Sequence, residues 1–145
     1  MELQCALMAS SSPQCETTLA IASDRDIVIA RQRGRTFVLQ LGFSSSDAML
    51  IATAISELAR NIVLYANQGE IVLKPLDDEG RPGVLVIARD DGPGIPATRQ
   101  AAVYGDSAGD VCLGLRGVRR LVDECEIVSA AGHGTMVALK KWKHG

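Results

Sequence analysis

Apolar residues in this chain repeat with two different periods, and the change from one to the other limits the layers that a fold can have. Ile27, Ala30, Gly34, Phe37 and Leu41 recur at three- and four-residue spacing, as do Leu50, Ile51, Ala54, Ile55, Leu58, Ile62 and Tyr65. That interval gathers side chains on one face of a helix. After Gly69 the apolar runs are short, Glu70 to Leu73 and Val84 to Ala88, and turn residues bound them, as strands require. A pair of one-sided helices must bury their apolar stripes against something flat. The pattern predicts an α/β (α+β) two-layer sandwich: one mixed, mostly antiparallel sheet with helices on one face.

Punctuation residues set the expected boundaries. Thr17 to Ala22 reads as a short strand, and Ser23 or Asp24 then caps a first helix that ends at Gly42. Gly34 inside that helix costs ~1 kcal/mol relative to alanine, so a neighbouring element is expected to pack closely there. Arg31, Arg33 and Arg35 fall on or near its outer face. Ser44, Ser45 and Ser46 offer caps for a second helix running to about Ala66, closed by Asn67-Gln68-Gly69. Asp77 to Gly83 is a turn segment joining two strands as a hairpin. Leu113 to Glu124 has helical spacing, and Ile127-Val128 with Met136 to Leu139 forms a last hairpin. Residues 1–16 read as a flexible arm, 17–145 as one domain, and Ala97 to Cys112 as a mobile lid.

Composition narrows the function. At 145 residues the chain closes a single core, and with 47% apolar and 22% charged residues it is neither disordered nor fibrous. A net charge of -2 and an aromatic fraction of 3% leave neither a basic footprint nor stacking platforms, which argues against a nucleic-acid partner. No apolar run approaches the ~20 residues that cross a bilayer, and no basic flank precedes an apolar stretch at the start, so no membrane partner and a cytoplasmic location are expected. Cys5, Cys15, Cys112 and Cys125 make no CxxC pair and no zinc spacing with His133 or His144, so they read as reduced thiols.

Four segments carry chemistry. Glu57 and Asn61, four apart on the second helix, project into the same space and together suit a metal-bound phosphate and a nucleophile. Asp90-Asp91-Gly92-Pro93-Gly94 ends an apolar strand, where a carboxylate accepts a hydrogen bond from an exocyclic amine and glycines let backbone approach a flat ring. Taken alone it is also an ordinary turn. Gly109 to Gly117 leads into a helix whose first N–H groups, at Gly114, Leu115 and their neighbours, suit phosphate. A flexible loop has the same composition. Gly132-His133-Gly134-Thr135 sets a hydroxyl beside small residues, and as a hairpin turn needs no function. There is neither a GxxxxGK[ST] loop nor a GxGxxG after the first strand, which sets aside P-loop and Rossmann sites.

In this order the four segments resemble the GHKL superfamily of ATP-binding domains, shared by gyrase, MutL, heat-shock chaperones and histidine kinases. Asp26 to Gln32, Thr53 to Ile62, Asp91 to Pro96 and Gly114 to Leu121 are most similar to the RsbT-type switch serine kinases of bacterial stress partner switching. The resemblance covers roughly Ser23 to Trp142. It implies a Bergerat-type fold and a serine/threonine-protein kinase that uses ATP and Mg2+. It also implies a STAS-domain antagonist as substrate and a partner phosphatase. By the same resemblance Asn61 is the magnesium ligand, Glu57 the general base and Asp90 the adenine reader. Gly92 and Gly94 wall the base pocket, Gly114 and Gly117 with Leu115 face the phosphates, and Thr135 closes the adenine side. A single neutral oxygen is enough for magnesium, which keeps water and phosphate oxygens as its other ligands.

The chain departs from this pattern before the lid helix, where Asp106, Asp110, Val111, Cys112 and Leu113 replace glycine and hydroxyl residues. Acidic groups repel a triphosphate, and fewer glycines free fewer backbone amides to wrap it. Two alternatives therefore stand beside the switch kinase. One is an anti-sigma factor kinase of sporulation type, whose partner is a sigma factor; the other is a binding module with weakened catalysis.

Overall fold

The computed structural model describes residues 16–92, 117–118, 120–129 and 134–143. The elements are β1 (Thr17–Ile21), α1 (Asp24–Gln40), α2 (Ser45–Tyr65), β2 (Gly69–Asp78), β3 (Arg81–Asp90), β4 (Glu124–Ser129) and β5 (Thr135–Trp142). The five strands form one sheet in the order β1-β2-β3-β5-β4. Every described pairing is antiparallel, which simplifies the mixed sheet expected from the sequence.

Strand alternation places the core. Leu19 and Ile21 of β1, Ile71 and Leu73 of β2, Val84, Val86 and Ala88 of β3, and Val137 and Leu139 of β5 point to the helix side and are buried. Thr18, Ala20, Arg89, Val128 and Met136 lie on the opposite face and are exposed. Val72 and Trp142 are the exceptions on that face: Val72 is buried at the centre of the sheet between Thr18 and Ile87, and Trp142 at its end opposite Gly83.

The helices meet the sheet as their periodicity requires. In α1 Ala30, Gly34, Phe37 and Val38 are buried. A Cβ on Gly34 would run into the Ile55 side chain of α2, so the glycine marks the close approach that its position in a helix predicted. Ser44 caps α2, its Oγ accepting from the Asp47 N–H at 3.1 Å. Ser23 stands at the α1 N-cap without a side-chain cap. There Asp26 reaches back instead, accepting from the Ala22 N–H at 2.9 Å. Gly42, at φ +96, closes α1 in the left-handed region, and the Phe43 N–H returns to the Val38 carbonyl at 3.1 Å.

Three expectations are corrected. Leu50 and Tyr65 are 37% and 38% exposed, because the buried arc of α2 is filled by Ala48, Ala52 and Ala59 beside its larger residues. The hairpin joining β2 and β3 is a two-residue turn, Glu79 and Gly80 at φ 54 and 86, so the strands continue through Asp78 and from Arg81. Charged residues at both strand ends hide that continuation from a hydrophobic pattern. Finally, Ser45–Tyr65 is long and apolar enough to span a bilayer by length and composition, contrary to the reading that no run approaches that length. Its apolar side lies in the core, against α1 and the sheet.

Candidate functional site

β3 delivers one carboxylate to the helix side of the sheet. Val84, Val86 and Ala88 point inward, and the same alternation turns Asp90, the last residue of the strand, toward α2. Gly92 donates its backbone N–H to Asp90 Oδ1 at 2.9 Å. The Thr135 backbone N–H donates to the same carboxylate, since Asp90 and Thr135 are cross-strand partners in the β3–β5 ladder. Burial pushes the Asp90 pKa above the ordinary carboxylate value, and the Asp91 charge adds to the rise. The amides of Gly92 and Thr135 oppose it without cancelling it.

Small residues surround this group because there is no room for larger ones. A Cβ on Gly92 would stand 2.6 Å from the Ala66 Cβ at the end of α2. Gly134, at φ +86, presses against the Asp90 carbonyl where any side chain would collide. The Gly-Thr pair at the start of β5 thus orients the acid in β3, a role hidden by its resemblance to a plain turn.

Glu57 and Asn61 share the border of the α2 core arc, and both are half-buried. The Asn61 Nδ2 is buried without a hydrogen-bond partner among the described residues. An orphaned buried amide costs ~1–3 kcal/mol, and the two ends of the group exchange by a flip. The position therefore offers either a carbonyl oxygen or an N–H to an incoming group. That chemistry fits a cation held with phosphate oxygens.

A cavity of about 440 Å³ opens beside Asp90, lined by Ile21, Ala66, Gln68, Gly69, Asp91 and others including Glu70 and Arg89. Glu57, Asn61, Gly92 and Thr135 do not line it. The structure thus gathers Asp90, Gly92 and Thr135 around one carboxylate and sets Glu57 and Asn61 on the adjoining helix. Gly117 is exposed, and a Cβ there would meet nothing among the described residues. Gly94, Gly114, Leu115 and the acidic lid residues Asp106 and Asp110 lie outside the described residues. Sequence reasoning took Ala66 and Gly69 only as the end and close of the second helix and Gly134 as part of the Gly-Thr segment, without their places beside Gly92 and Asp90; for Gly69 the signal is a glycine opposite an aspartate, and it needs the register to be seen.

Residues 46–144 match the family model of histidine kinase-, DNA gyrase B- and HSP90-like ATPases. The chain belongs to the GHKL ATPase family. Within it, this protein is 46% identical over 128 residues to the serine/threonine-protein kinase RsbT of Bacillus subtilis (strain 168), covering 88% of this chain and 96% of that one. It is a protein serine/threonine kinase with an ATP-binding domain. The fold agrees with the histidine kinase domain of the blue-light activated histidine kinase from Erythrobacter litoralis EL346, at 26% identity and a TM-score of 0.51 over 67% of this chain. A longer form of that histidine kinase matches at 25% identity and a TM-score of 0.51 over 68% of this chain. This kinase spans 45% and 31% of those two chains.

Proposed function

We propose that this GHKL kinase transfers the γ-phosphoryl group of Mg-ATP to a serine or threonine of a STAS-domain antagonist in a bacterial partner-switching module, and binds a partner phosphatase. The clamp on Asp90 carries the reading. A carboxylate whose position is set by two backbone N–H groups, beside glycine and an open cavity, is suited to accept a hydrogen bond from the exocyclic amine of adenine. In this reading Gly92 and Gly94 wall the adenine site next to Asp90, and Thr135 closes its other side.

Magnesium, when bound, neutralises phosphate charge, and the Asn61 oxygen is the group that would hold it. Glu57 orients the substrate hydroxyl and accepts its proton. Phosphoryl transfer depends chiefly on positioning and charge neutralisation, so an ordinary carboxylate base suffices. Gly114, Leu115 and Gly117 supply backbone to the phosphates. The cytoplasm is the compartment in which such a module operates.

Transfer of labelled phosphate from ATP to a STAS-domain protein encoded beside this kinase is the direct test. The expected result is a phosphorylated serine or threonine, with transfer abolished in Asn61→Ala. Tight capture of a sigma factor together with phosphorylation of its anti-antagonist would move the protein to the sporulation-type class. Partner binding with no transfer at all would make it a binding module.

A further inference from the structure

Gly69 opens β2 and stands directly across the ladder from Asp90. On its other side is Ile62, the neighbour of Asn61 on α2. A Cβ on Gly69 would lie 2.6 Å from the Arg89 carbonyl oxygen, 2.9 Å from Ile62 Cγ2 and 3.0 Å from Asp90 Cβ. Attractive contacts between heavy atoms begin near ~3.5 Å, so all three are collisions. The Arg89 carbonyl is backbone and the Asp90 Cβ is fixed to it, so neither swings aside as the end of a long side chain would. Gly69 is absent from the residues with positive φ, and space rather than backbone conformation demands glycine here.

We propose that Gly69 is a positioning residue of the nucleotide site. Its bare Cα lets the end of β3, which carries Asp90, seat against β2 beside α2, which carries Glu57 and Asn61. Adding a methyl group pushes on the Arg89 carbonyl and on Asp90 and shifts the carboxylate that reads adenine. The proposal rests on the assignment of Asp90 as the adenine reader. A glycine needed for packing alone would act on folding without acting on base selection, and the same sheet supplies the control. Gly83, also in this ladder, is as crowded: its Cβ would stand 2.5 Å from Trp142 Cε3 and 2.9 Å from the Lys141 carbonyl oxygen, far from Asp90 in register.

The test compares the dissociation constants of Mg-ATP and of Mg-purine riboside triphosphate, which lacks the exocyclic amine, in the full chain by calorimetry. A hydrogen bond to an ionised acceptor is worth about ten-fold or more in affinity, and the parent should prefer ATP by that factor. Gly69→Ala should lose most of the preference while retaining the affinity for purine riboside triphosphate. Gly83→Ala should keep the preference despite a lower melting temperature. The double variant Ile62→Ala/Gly69→Ala gives the new methyl room on the helix side but leaves the collisions with Arg89 and Asp90, so it should remain unselective. Parental preference in that double variant or in folded Gly69→Ala overturns the proposal, as does an equal loss in Gly83→Ala. If Asp90→Asn leaves the preference unmoved, the adenine assignment fails first and the role of Gly69 fails with it.

Discussion

The two ends of the β3–β5 ladder are built alike and filled differently. At one end Gly83 faces Trp142, and the indole lies where a methyl would be. The ring is buried, with the Arg81 guanidinium 4.8 Å from its centroid and its Nε1 directed to Glu124 at 3.4 Å. Asp123 accepts the Trp142 backbone N–H at 2.7 Å. At the other end the crowded glycines, Gly69 and Gly134, press on Asp90, and the polar group opens on a cavity. Crowding around an aromatic ring produces stability through apolar burial, because the indole N–H keeps a partner in Glu124 as the rest of the ring leaves water. Crowding around a carboxylate costs desolvation and produces aim instead.

The largest expected contrast comes from the catalytic side. Glu57→Gln preserves size but removes the proton acceptor, so phosphoryl transfer should fall ~10²–10⁴-fold while ATP binding persists. Transfer at the parental rate would make Glu57 a structural residue of α2. At the closed end, Trp142→Ala should cost ~3–5 kcal/mol of stability in chemical denaturation, yet leave nucleotide affinity unchanged in the folded fraction. A matching loss of affinity would show that the two ends are coupled and would break the comparison.

Asp90→Asn should weaken ATP binding by ~1.5–3 kcal/mol in calorimetry. Its amide oxygen is a weaker acceptor for the Gly92 and Thr135 N–H groups than a carboxylate, so some stability should be lost as well. Unchanged affinity in a folded variant would remove Asp90 from the site.

If Asp90 reads adenine, the same carboxylate should make binding sensitive to pH. Its folded-state pKa is raised, so protonation begins at a higher pH than for an exposed aspartate. ATP affinity should fall as pH is lowered through that raised value. Stability should respond with the opposite sign: between the unfolded and folded pKa values the folded chain binds more protons, so the Asp90 contribution decreases as pH rises. A difference titration of the parent against Asp90→Asn reads both. Smallest of all, Arg81→Ala should cost ~0.5–1 kcal/mol through the lost cation–π contact, measured by denaturation; a larger loss would mean that Arg81 holds the turn as well as the ring.

Much of this molecule is determined locally. Helical spacing in α1 and α2, the Ser44 cap, the Gly42 stop and the close approach at Gly34 follow from side-chain period and from the steric freedom of glycine, which act within a few residues. The ordered motifs that contain Glu57, Asn61, Asp90 and Thr135 were legible as a resemblance to the GHKL family, and the family match over residues 46–144 agrees with that family. Tertiary structure alone decided that Thr135 donates to Asp90, that Ala66 fills the space at Gly92, and that Gly69 lies between Ile62 and Asp90. Those contacts join elements distant in the chain through strand register and helix packing. Register belongs to pairs of strands rather than to either one, so a single run of residues carries no trace of which partner it will face.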